Sequence, residues 1–115
     1  MQACWNKTEA LERIDGDQQL LQDLCRIFLV ESPRLMEKLR LALIENDADA
    51  LARAAHSLKG ETSCLAAGGA SALARQLEEM ARAHNLSGVE ETLELLEREI
   101  ADLQAALQYP TGVNA

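Results

Sequence analysis

Apolar residues recur along the chain at intervals of three and four, and no stretch alternates apolar with polar as a half-buried strand would. The clearest run is Val89, Leu93, Leu96, Ile100, Leu103 and Leu107, a bundle-core seam that predicts a helix over about Val89 to Leu107. Before it, Ser87-Gly88-Val89-Glu90 reads as a capping box, in which Ser87 takes the Glu90 amide and Glu90 reaches back to the cap. Upstream, Asn6 or Thr8 can cap a short helix from roughly Lys7 to Ile14, ended by Gly16. Asp17 caps a long stretch carrying Leu20, Leu21, Leu24, Ile27 and Phe28. The string Glu31-Ser32-Pro33 interrupts it, either as a fresh cap or as a kink in one helix, and Leu35, Leu39, Ala42 and Leu43 continue the spacing. Asn46-Asp47 opens a helix from about Ala48 to Leu65. Gly68-Gly69 separates it from another over roughly Ala70 to His84, with Leu73, Leu77 and Met80 inward. Linkers this short favour antiparallel neighbours. The prediction is all-α: an up-down four-helix bundle with a short extra N-terminal helix.

Composition narrows the partners. The 115 residues suit one domain, with an ordered core over about 5–108 and a polar tail at 109–115. At 48% hydrophobic, the chain can build a core. Eleven Lys and Arg against nineteen Asp and Glu leave a net charge of −8. That disfavours nucleic acid and an anionic membrane surface, which both require clustered cations. One Trp, one Tyr and one Phe are too few for a base-stacking platform. No apolar run is long enough to span a bilayer, and the start at Met1 has no signal-peptide pattern. Cys4, Cys25 and Cys64, odd in number and widely spaced, suit reduced thiols in the cytoplasm.

The candidate chemistry lies on the third long pattern. Its inward stripe is Leu51, Ala55, Leu58, Thr62 and Leu65, and His56 falls roughly 140° from the centre of that stripe. His56 is therefore expected to face outward, beside Ala52, Lys59, Gly60 and Ser63. Helical side chains lean toward the N-terminus, so the residue four positions on covers its predecessor. With Gly60 there the imidazole stays open, at a helix cost of about 1 kcal/mol relative to alanine. An open nucleophilic nitrogen with the Lys59 ammonium beside it suits capture of a phosphoryl group. A surface histidine next to an ill-chosen glycine fits the same geometry.

The string His56-Ser57-Leu58-Lys59-Gly60 resembles the phosphorylation motif of histidine-containing phosphotransfer (HPt) domains. The resemblance covers nearly the whole chain. Trp5 with Leu11-Glu12-Arg13-Ile14 and Gly16-Asp17 is similar to the family's opening helix. Phe28-Leu29-Val30-Glu31-Ser32-Pro33 is similar to its second, and Ala54-Ala55 to the lead-in. It implies a phosphorelay intermediate in which His56 accepts phosphate from a receiver-domain aspartate and passes it to a response-regulator aspartate. Lys59 would neutralise the phosphate and Gly60 would leave room for the receiver. Ala52, Arg53, Ser57 and Ser63 would line the docking surface. The partners implied are receiver domains of response regulators or of a hybrid sensor kinase. A cytoplasmic monomer is expected, without autokinase activity, cofactor or metal. Cys64 and Ala66 stand where the family usually has Asn and Gly, and Glu61 adds an acid after Gly60.

Some family members hydrogen-bond the histidine from a Gln on the following helix. By spacing that position is Glu78, with Gln76 and Arg75 nearby. Gln76 and Glu78 are thus candidate supports of His56, although a carboxylate near phosphate is repulsive and a solvated helix face is the simpler expectation. A histidine-kinase dimerisation helix would place an acid where Ser57 stands. A di-iron bundle needs Glu-x-x-His pairs, whereas Arg53 and Ala81 precede His56 and His84 by three. His84 suits a helix end. The alternative from another class is a non-catalytic helical adaptor that binds a signalling partner, with Arg53 and Lys59 as interface charges.

Overall fold

The computed structural model describes residues 5–108; Cys4 and the tail expected at 109–115 lie outside the described residues. Five helices follow in order: α1 (Lys7–Arg13), α2 (Gln18–Ile44), α3 (Ala48–Cys64), α4 (Gly68–Arg82) and α5 (Val89–Gln108). Helices α2 to α5 pack as a closed ring of antiparallel neighbours, α2 against α3, α3 against α4, α4 against α5 and α5 against α2. Helix α1 is an extra element joined to the end of α3, where the Asn6 amide donates to the Ala66 carbonyl at 3.1 Å. No described helix is long and apolar enough to cross a membrane.

Local chemistry sets the boundaries. Asn6, Asp17 and Asp47 cap α1, α2 and α3 by accepting from the amides of Glu9, Leu20 and Ala50 at 2.9–3.0 Å. The chain then reverses through left-handed residues, Asp15, Asn46, Ala66 and His84, each at a φ of 53–57° after a helix. Amides that follow these turns donate back to carbonyls of the last helical turn, as from Asp47 to Ala42 at 2.8 Å and Ala67 to Thr62 at 2.9 Å.

Of the two readings at Pro33, the continuous helix is the one observed: α2 runs through it, and Ser32 is buried and accepts from Gln104 of α5 at 2.8 Å instead of capping a new helix. Other expectations need correction. Gly68 and Gly69 belong to the first turn of α4, which starts without a side-chain cap. The capping box is not among the described hydrogen bonds. Glu90 is drawn to Arg40 of α2 at 2.8 Å, and the Ser87 amide donates to Asn85 at 3.3 Å. Arg40 also reaches Glu97, so one guanidinium ties α2 to α5 and both carboxylates raise its proton affinity.

The predicted seams of α3 and α5 are buried throughout. Helix α4 is turned differently. Ala70, Ala74, Leu77 and Ala81 form its buried face, while Leu73 and Met80 are half-buried. The observed face is rotated by roughly 60° from the expected one, because alanines fill the close α3–α4 contact and the larger side chains sit at its edge. That rotation carries Glu78 inward. On α2, Leu20, Ile27, Val30, Leu41 and Ile44 lie on the outer surface, at 40–77% exposure, whereas Leu20 and Ile27 were expected on the inward stripe.

Candidate functional site

The Leu51–Leu65 stripe of α3 is anchored in the core, and this orientation turns His56 outward beside α4. Its side chain is 61% exposed. Gly60, one turn on, is exposed, and a methyl group added there would meet nothing within 4 Å. The fold has room for a side chain at Gly60, so the cleared surface over His56 is not imposed by packing.

Beneath the imidazole lies a carboxylate. Glu78 of α4 is 5% exposed, which overturns the expectation of a solvated face, and its Oε2 stands 2.9 Å from Nδ1 of His56. Lys59 Nζ lies 2.8 Å from Glu78 Oε1. Arg82, one turn further along α4, donates from Nε and Nη2 to Oε2 at 3.0 and 2.6 Å. The Lys59 ammonium, opposed by burial and helped by Arg82 and His56, holds the Glu78 carboxyl down at about 2. Glu78 is therefore ionised at neutral pH and can only accept hydrogen bonds.

That fixes the tautomer of His56. A nitrogen facing a permanent acceptor must carry the proton, so Nδ1 is the N–H and Nε2 holds the free lone pair. The arrangement is that of a nucleophile oriented by a third group. Lys59, expected with its ammonium beside the imidazole, is instead engaged by Glu78 and only 30% exposed.

The other candidates divide between two sides of α3. Arg53 and Ser57 are exposed and line an open groove of about 390 Å³ against α2, together with Leu35, Lys38 and Leu41. Ala52 is buried at 8% exposure and floors a hollow toward α4 that Asp49, Arg53 and Arg82 complete. Ser63 turns to α4 and shares a 2.7 Å hydrogen bond with Ser71, while its carbonyl accepts from Arg13 of α1. It serves the scaffold rather than the surface around His56. Gln76 is exposed and has no partner among the described hydrogen bonds. Two positions along a helix are about 200° apart, so Gln76 cannot share the face of Glu78. Arg82 was missed in the sequence, although its spacing of four from Glu78 is an ordinary helical acid–base pair.

Glu61 leans the opposite way, where burial, with Glu31 of α2 adding to it, raises its proton affinity. Cys64 is exposed, and Cys25 is half-buried, its thiol pushed up by burial against the opposing charge of Lys7. His84 is exposed in the left-handed turn after α4. No group of three or more His, Cys, Asp or Glu able to hold a metal ion exists among the described residues.

An α-helical bundle with a carboxylate-held histidine on an open face suits a group carrier, and the comparisons place the chain in such a family. The family model described as the Hpt domain matches residues 23–106, and the chain belongs to that family. The fold is similar to the crystal structure of histidine-containing phosphotransfer protein B (HptB) from Pseudomonas aeruginosa PAO1, at 27% identity, 91% coverage of each chain and a TM-score of 0.83. No curated protein matches. The chain is thus a histidine phosphotransfer intermediate of two-component phosphorelay signalling. Hpt domains interact with receiver domains and are not typical kinases.

Proposed function

We propose that His56 is the phosphoryl carrier and that Nε2 is the atom that takes the group. The observation supporting this most directly is the 2.9 Å contact of Nδ1 with ionised Glu78, which leaves the outward nitrogen as the nucleophile. The Nε2 lone pair attacks the phosphorus of a receiver aspartyl phosphate. A P–N bond forms, the P–O bond to aspartate breaks, and its electron pair stays on the aspartate carboxylate. Nδ1 keeps its proton, so the ring becomes cationic, and Glu78 lies against the new positive charge. The same steps in reverse deliver the group to a second receiver.

Lys59 neutralises the arriving phosphoryl group, and Gly60 lets the receiver approach. The receiver covers the outer face of α3, meeting Arg53 and Ser57 on the α2 side and the hollow above Ala52 on the α4 side. The domain works as a monomer in the cytoplasm, without autokinase activity, either on its own or as the end of a hybrid sensor kinase. Mixing the protein with a phosphorylated receiver tests this. Acid-labile, base-stable phosphate should appear on the wild type, and His56→Gln should keep its helical spectrum but take none. Label retained by His56→Gln and lost by His84→Gln would refute the assignment. Stable receiver binding with no label on any variant would leave a helical adaptor.

A further inference from the structure

The carboxylate that orients His56 creates a problem for the reaction. A phosphoryl group on Nε2 carries close to two negative charges, and Glu78 stands one imidazole ring away from it. Lys59 lies three residues from His56 on the same helix, yet its ammonium is already on Glu78 Oε1. If Lys59 leaves for the phosphoryl group, a carboxylate with 7% side-chain exposure loses a counter-ion. A buried charge without a partner is strongly disfavoured. Arg82 meets that need. It holds Oε2 through two N–H groups, the same oxygen that accepts from His56, and it does so from α4 rather than from the helix that carries the histidine.

Building on the assignment of His56 as carrier, we infer that Arg82 is a positioning residue, the standing counter-ion of Glu78 that frees Lys59 to move to the phosphoryl group. Arg82 acts through Glu78 and does not itself touch the reacting atoms. The guanidinium suits this task, because its fork holds the carboxylate at fixed geometry and it cannot lose its charge. Without Arg82, Lys59 stays on Glu78 and the phosphoryl group is left without a counter-ion.

A double-mutant cycle on the intact chain tests the coupling, with phosphoramidate as donor so that receiver docking plays no part. In that reaction Nε2 forms the P–N bond while the phosphorus–nitrogen bond of the donor breaks and ammonia leaves. The readouts are the rate of labelling at His56 and the lifetime of the phosphohistidine. Arg82→Gln should lower both by about tenfold, the scale of one charge-assisted hydrogen bond. Arg82→Lys, which keeps the charge but not the fork, should restore part of the loss. In the Glu78→Gln background, where no carboxylate needs a counter-ion, Arg82→Gln should change either readout by less than about twofold. Equal losses in both backgrounds, or no loss in either, would overturn the inference while leaving the carrier assignment intact. Absence of label on wild-type His56 from both phosphoramidate and a phosphorylated receiver would instead remove the assignment on which it rests.

Discussion

Replacing Glu78 by Gln removes one charge and keeps the shape, and linkage predicts how stability then depends on pH. Folding lowers the Glu78 carboxyl from its usual 4.5 to about 2. A depressed carboxylate contributes stability that is fully present above its unfolded value and is lost as pH falls through its folded value. Each tenfold change in proton affinity is worth about 1.4 kcal/mol, so the full effect is bounded near 3 kcal/mol. The Arg82 side chain is 62% exposed and that of Lys59 30%, so solvent screening reduces the expected value to roughly 2 kcal/mol. Protonated Glu78 is nearly an isostere of Gln. The wild type should therefore exceed Glu78→Gln by about 2 kcal/mol at pH 5 and by almost nothing near pH 2. In urea melts followed by circular dichroism, this corresponds to a midpoint difference of about 1 M that closes on acidification. Glu97, also lowered by its hydrogen bond to Arg40, titrates alike in both proteins and cancels in the difference. Parallel stability curves from pH 5 to pH 2 would refute the view that Glu78 is an ionised, cation-held group in the free domain.

Gly60→Gln should stabilise the fold by several tenths of a kcal/mol to about 1, since space for the side chain already exists, while slowing transfer from a receiver and sparing reaction with phosphoramidate; thermal melts and the two rates compared check it. Lys59→Ala should cost about 1 kcal/mol of stability, because a buried carboxylate loses a partner, and should slow phosphotransfer about ten- to a hundredfold, as read from denaturation and labelling. Ala66→Gly should raise stability by about 0.5–1 kcal/mol, because Ala66 holds a φ of 55° that only glycine adopts freely; a lowered melting temperature would contradict this.

The sequence made the strongly periodic parts legible. The α5 seam and the α3 stripe recur without gaps, and large aliphatic side chains at those positions leave one choice of inward face. The outward direction of His56 followed from the same periodicity, and so did the open surface at Gly60. What misled was weight given to size. On α4 the large residues Leu73 and Met80 suggested one face, but close approach of α3 and α4 selects small side chains, and the alanine face is the buried one. That rotation, invisible to a scale that ranks alanine below leucine, decides whether Glu78 is a solvated acid or the support of His56. On α2 the error came from length. A helix of 27 residues offers more apolar positions than one stripe can bury, so Leu20 and Ile27 lie outside.

The choice of glutamate under His56 also bears on what a relay intermediate must do. In the free site one carboxylate faces two permanent cations, leaving a single positive charge in excess. Phosphorylation adds nearly two negative charges and makes the ring cationic, which brings the whole site close to neutral. With a neutral amide at Glu78 the same site would begin with two uncompensated cations and remain positive after loading. At a separation on the order of 6–7 Å, one unit charge in a medium of effective dielectric about 20 is worth about 2.5 kcal/mol against another. Against this stands the attraction of the same carboxylate to the ring cation it touches at 2.9 Å, so its two effects on the loaded state largely offset each other. With His56 as the proposed carrier, one buried carboxylate leaves Nε2 as the free nitrogen in the empty state and faces both the ring cation and the phosphoryl group in the loaded one.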